Sequence, residues 1–130
     1  MPTTYPAAAP EDVISVYTAK LAMETDCADV HAALSQGAAD FVLLHAVGTP
    51  EAFSLRHIPG AHHLPHRQLS EAALAEWPLD CLFVVYCAGP HCNGADQAML
   101  KLARLGRRSK LMIGGLTGWA DEGFAFAEGA

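Results

Sequence analysis

"CLFVVYCAGPHCNGADQAMLKLARLG", residues 81–106, is the stretch that decides the fold. It opens with a continuous apolar run of the kind buried on both faces of a parallel sheet. It closes with Ala95, Ala98, Met99, Leu102 and Leu105 on one face of a helix that Gly106 ends. Between the two lies a tight loop, Cys87-Ala88-Gly89-Pro90-His91-Cys92-Asn93-Gly94, carrying two cysteines. A buried strand that feeds an amphipathic helix through a short glycine-bearing loop is the repeating unit of an α/β domain.

The rest of the chain repeats that alternation. Pro10 with Glu11 and Asp12 starts a helix carrying Ile14, Tyr17 and Leu21. A second helix, begun near Thr25 or Asp26, carries Val30, Ala33 and Leu34 and stops at Gly37. "FVLLHAV" (41–47) reads as a buried strand, "PEAFSLRH" (50–57) as a short helix, and "IPGAHHLP" (58–65) as a turn into a brief strand. Residues 70–76 are expected to be helical from Ser70, "KLMI" (110–113) to be a last strand, and "GGLTGWADEG" (114–123) to start a closing helix. The expected fold is α/β, a three-layer domain with a mainly parallel five-stranded sheet flanked by helices. Residues 1–34 are expected to form an N-terminal helical extension packed on a domain of residues 35–130.

Composition narrows the function classes. The chain has 130 residues, just over half of them apolar, enough for one core and one domain. A net charge of −6 without a long basic run argues against nucleic acid as a partner. No apolar stretch approaches a membrane span, and "MPTTYPAAAP" lacks the basic and apolar regions of a secretory signal. The expectation is a soluble cytoplasmic protein. Cys27, Cys81, Cys87 and Cys92 are irregularly spaced and the core needs no staples, so reduced thiols are expected. Cys81 reads as a small buried hydrophobe and Cys27 as structural.

Cys87 stands apart, because it sits where ligands bind in open parallel sheets, at the carboxyl end of a strand. With Asn93 as an N-cap, amides of the loop and first helical turn can face the thiol. Oriented amides favour an anion, which predicts a lowered Cys87 pKa and a thiolate nucleophile. Gly89 and Gly94 permit the close approach this needs, and Pro90 stiffens the loop.

Three stretches taken together resemble the rhodanese-homology domain: "RHIPGAHHLP" (56–65), "VVYC" with its glycine-bearing loop and helix (84–105), and "IGGLTGWADEGF" (113–124). The loop is similar to that of single-domain members at Cys87, Gly89, Pro90, Cys92, Asn93, Gly94 and Ala95, with His91 in place of a glycine and Ala88 where an aromatic is common. The resemblance implies a sulfurtransferase. Cys87 would accept sulfane sulfur from a small sulfur-containing anion such as thiosulfate, or from a persulfide donor. It would carry it as a persulfide to cyanide, a thiol or a protein acceptor, without a cofactor. Two departures bear on this. The family's aspartate-valine-arginine triplet is His45-Ala46-Val47 here, and the loop ends in Cys92 and Asn93 rather than arginine. Weak activity on thiosulfate is the expected consequence. The retained loop favours a sulfurtransferase, and the lost acid and arginine favour a non-catalytic binding or redox-sensing module using Cys87 and Cys92. A slightly long spacing from Cys87 to Gly106 is similar to the phosphatase and arsenate-reductase relatives, which rank lower because no arginine follows the loop.

Cys92 has two readings, a resolving thiol that attacks an oxidised or persulfidated Cys87, or a small residue at the loop base pointing into the sheet. The histidines lack zinc-binding spacing, so no metal is expected. His57 reads as a structural hydrogen-bonding residue, His63 and His66 as surface or loop residues with "PHR" (65–67) on the approach to Cys87, and Trp119 as a core anchor. A homodimer contact through residues 1–34 stays open.

Overall fold

A computed structural model describes residues 1–130. In chain order it contains α1 (Pro10–Met23), β1 (Glu24–Thr25), α2 (Cys27–Ser35), β2 (Val42–His45), α3 (Pro50–Leu55), β3 (His62–His63), a 3₁₀ turn (His66–Gln68), β4 (Leu82–Tyr86), α4 (Gly94–Arg104), β5 (Arg108–Met112) and α5 (Gly115–Asp121). The strands form one five-stranded sheet in the order β1-β5-β4-β2-β3, and every pairing is parallel. No helix is long and apolar enough to cross a membrane.

The apolar run becomes the central strand, and its alternation divides the core in two. Phe83 and Val85 face one cluster with Leu44, Leu74, Ala95, Ala98 and Leu102. Val84 and Tyr86 face the other, with Cys27, Val30, Ile58, Met112 and Trp119. Each face of β4 is thus covered, the first by α4 and the second by α2 and α5. Leu102 is fully buried and contributes about 2 kcal/mol. Trp119 is also fully buried, with its Nε1–H donating to the Ala125 carbonyl at 3.0 Å, the core anchor expected of it.

Four expectations need correction. Residues 71–77 form successive turns and no helix. Ser70 Oγ does accept the Ala73 N–H at 3.1 Å, as a helix cap would. The buried Arg107 guanidinium then takes the carbonyls of Leu74 at 3.1 Å and Pro78 at 2.8 Å, so those oxygens serve a tertiary contact. β1 was not foreseen, since two residues carry no periodicity and exist as a strand only by pairing with β5. Cys81 is half-buried rather than buried. Finally, residues 1–34 do not behave as one packed unit. α2, capped by Asp26 on the Asp29 N–H at 2.8 Å, buries Cys27 and Val30. α1 buries nothing, leaves Ile14, Tyr17 and Leu21 exposed, and touches the sheet region through Lys110 Nζ donating to the Leu21 carbonyl at 3.2 Å.

Candidate functional site

Cys87 lies immediately beyond β4, and the chain then loops into α4. Two helices fix that loop. The Cys87 and Ala88 carbonyls each accept an N–H from the start of α5, Leu116 and Thr117 respectively, both at 3.0 Å. Thr117 Oγ1 adds a second bond to the Ala88 carbonyl at 3.1 Å. Within the loop, the Cys92 N–H donates to the Gly89 carbonyl at 3.0 Å. Close approach is bought with glycine. At Gly115, φ is +57°, and a Cβ would overlap the Cys87 carbonyl oxygen and lie 2.8 Å from Gly89 N. At Gly94 a Cβ would overlap Val47 Cγ1, so the end of β2 presses directly on the start of α4.

The cradle holds two sulfurs. Cys87 is 5% exposed, and its thiol donates to the Cys92 carbonyl at 3.3 Å. Burial pushes that thiol above its ordinary value, while the Ala95 amide, and more weakly the Gly89 amide, pull it down. The lowered pKa expected for Cys87 is therefore not found in the resting loop. Cys92 shows it instead. Burial raises that thiol, but the N–H groups of Gly94 and Ala88, helped by the neighbouring Cys87 side chain, outweigh burial and leave it below the ordinary range. The Gly94 N–H donates to Cys92 Sγ at 3.4 Å. Asn93 stands at the N-cap of α4, but its side chain does not cap the backbone and accepts from Gln97 Nε2 at 2.9 Å.

A cleft of about 610 Å³ opens over the loop, lined by Ala88, Pro90, His91, Cys92, Asn93 and Asp96. Its only imidazole is the exposed His91, and no lysine or arginine lines it. A wider cavity of about 890 Å³ lies elsewhere, at edge strand β3, against Phe53, His57, His62 and His63. That cavity holds no cysteine. His57 is buried with its Nδ1–H on the Phe53 carbonyl at 2.8 Å, as its structural reading required. His63 donates from Nε2 to the Val47 and Gly48 carbonyls at 3.1 and 3.0 Å. His66 stands on the Gly94 side of the loop, with Nδ1 buried and unpartnered. No three His, Cys, Asp or Glu side chains are grouped so as to hold a metal ion.

At the end of β2, His45 is 3% exposed, with Nδ1 2.7 Å from the Tyr86 hydroxyl. That oxygen also accepts the Ile58 N–H at 3.2 Å, which ties the end of β2 through Tyr86 to the turn at Ile58. Burial, reinforced by His63 and His57, lowers the His45 pKa to about 4 and keeps the ring neutral. The pairing was not legible in the sequence, because its partners are 41 residues apart.

Comparison with known proteins agrees with this geometry. Residues 26–122 match the Rhodanese-like domain. The chain is 32% identical to the BH2092 protein from Bacillus halodurans, with a TM-score of 0.87 over 92% of this chain and 87% of that one. It is 35% identical over 89 residues to the HTH-type transcriptional regulator Rv0324 of Mycobacterium tuberculosis, a match that takes in 68% of this chain but 39% of that protein. A thiosulfate sulfurtransferase from Pseudomonas aeruginosa shares the fold alone, at 19% identity and a TM-score of 0.65 over 87% of this chain and 21% of that one.

Proposed function

Because the chain belongs to the rhodanese-like domain family, we propose that it is a sulfurtransferase or sulfur carrier whose Cys87 cycles through a persulfide. One observation carries the reading. Cys87 stands almost fully buried at the carboxyl end of the central strand, its thiol 3.3 Å from the Cys92 carbonyl, where the Ala95 and Gly89 amides favour its thiolate. Amides that only partly offset burial of a thiolate are better matched to the terminal sulfur of a persulfide, whose charge lies one bond further from the buried Cys87 Sγ. In the transfer, the Cys87 thiolate attacks the outer sulfur of a donor such as thiosulfate, sulfite departs with the bonding pair, and a thiophilic acceptor later takes the sulfur and restores the thiolate. Cleft residues Ala88, Gly89, Pro90, His91, Cys92, Asn93 and Gly94 form the binding loop. With no guanidinium or ammonium in the cleft, thiosulfate is a poor donor and a persulfide the better one.

Intact mass measurement after incubation with thiosulfate, and separately with glutathione persulfide, tests this. The expected result is a gain of about 32 Da in the wild type that disappears in Cys87→Ser. No adduct from either donor overturns the sulfurtransferase reading.

A second reading is favoured by the raised Cys87 thiol and by the regulator among the similar proteins. In it the domain binds a partner or senses oxidants through Cys87 and Cys92 and does not turn over. Sulfur loading without delivery to any acceptor would support it.

A further inference from the structure

The two thiols of the loop differ in access. Cys87 is almost fully buried and contributes nothing to the wall of the cleft, whereas Cys92 is half-buried and forms part of that wall. Each has amides of its own: Ala95 and Gly89 for Cys87, Gly94 and Ala88 for Cys92. The Cys87 thiol reaches the Cys92 carbonyl at 3.3 Å and Cys92 stands in the cleft wall, so a sulfur atom added to Cys87 and extended outward comes beside Cys92. Cys92 also packs against the core cluster that holds Leu44 and Val85, as its reading as a small residue at the loop base has it. Its sulfur accepts the Gly94 N–H and borders the cleft.

Resting on the persulfide reading of Cys87, we propose that Cys92 is a second sulfur-carrying residue, which takes the outer sulfur from Cys87 and presents it to thiol acceptors too bulky to reach the inner position. The Cys92 thiolate attacks the outer sulfur of the Cys87 persulfide. A bond forms between Cys92 Sγ and that sulfur, and the bond from Cys87 Sγ to it breaks. The persulfide proton passes to Cys87, which returns to its resting thiol, and the negative charge ends on the outer sulfur at Cys92 beside the Gly94 and Ala88 amides. Sulfane sulfur moves from one thiol to the other with no net oxidation, so no oxidant or reductant is consumed. Direction follows from environment. Burial favours a neutral Cys87, whereas Cys92 faces solvent and polar donors.

The test is localisation of sulfur in the wild-type protein, which needs no variant to fold. The protein is loaded with glutathione persulfide, quenched by alkylation at successive times and digested with trypsin. The peptide between Arg67 and Lys101, which holds Cys81, Cys87 and Cys92, is then fragmented. The expected result is the added sulfur first on Cys87 and then on Cys92, with none on Cys92 in Cys87→Ser. In Cys92→Ser, the rate of delivery to reduced glutathione divided by the rate of delivery to cyanide should fall by about tenfold or more. Sulfur found only on Cys87 in the wild type overturns the relay and leaves the Cys87 reading intact. A loss of about 2 Da with release of sulfide overturns it in favour of a resolving disulfide. Loading of Cys92 in Cys87→Ser overturns the order of transfer, and no sulfur on either cysteine overturns the Cys87 reading itself.

Discussion

Two neighbouring strands, β4 and β2, end side by side and do opposite things with charge. Beyond β4 the chain gathers the amides of Ala88, Gly89, Gly94 and Ala95 around two sulfurs. Beyond β2, where the family resemblance implies an acid and an arginine, stand a neutral histidine tied to Tyr86 and a valine pressed on Gly94. β2 therefore supplies shape to the site and β4 supplies the anion-holding groups. On the proposed function, anion binding at this cleft rests on how well the backbone of one loop is held in place, since no lysine or arginine lines it.

The largest expected effect comes from loosening the β4 end. Gly115→Ala puts a Cβ into the Cys87 carbonyl at a positive φ, with backbone on both sides and nothing flexible to give way. It should cost about 4 kcal/mol in denaturant unfolding and slow sulfur loading sharply. An unchanged unfolding midpoint would mean that α5 does not brace the loop.

The β2 end should show itself through pH. His45 titrates near 4 when folded and near 6.5 when unfolded, so between those values the unfolded chain binds the proton and the folded one does not. Its contribution is complete above about pH 6.5 and is lost as pH falls toward 4, a loss of about 3 kcal/mol. Unfolding of His45→Gln measured across that window should lack this slope. A slope equal to the wild type would show that His45 is not held neutral by burial.

A smaller effect joins the two strand ends. Gly94→Ala should destabilise by about 2 kcal/mol through its clash with Val47, and Val47→Ala in the same chain should recover about half of that, as a double-mutant cycle would measure. Additive losses would break the claim that β2 shapes the loop. Smallest of all is the response to salt. With no lysine or arginine lining the cleft, loading should change by less than about twofold between 50 and 500 mM salt, and a steep decline would reveal a cation at work.

The elements around β4 were legible in the sequence because their signals are local. An apolar run, a loop and five apolar positions at helical spacing need no knowledge of the rest of the chain. The same locality explains Pro10 and Asp26 as helix starts. What could not be read depended on distant partners. The turns at 71–77 look helical until Arg107 claims their carbonyls, β1 is a strand only beside β5, and His45 gains its role from Tyr86. The site divides in the same way. Cys87 and its loop followed from strand, glycine and cysteine, but which sulfur each amide faces is a matter of ångströms. The sequence therefore pointed to the loop between β4 and α4 and to a lowered thiol there, and the structure moves that lowered thiol from Cys87 to Cys92.

The central claim, that backbone amides rather than charged side chains hold the sulfur on Cys87, is tested most directly by amide nitrogen–proton NMR of the protein before and after loading with glutathione persulfide. The account predicts that the Gly89 and Ala95 amide protons move furthest downfield, as N–H groups do on strengthening a hydrogen bond to an anion. Unmoved Gly89 and Ala95 signals, with the largest changes at the His91 ring or the Arg67 guanidinium, would contradict it.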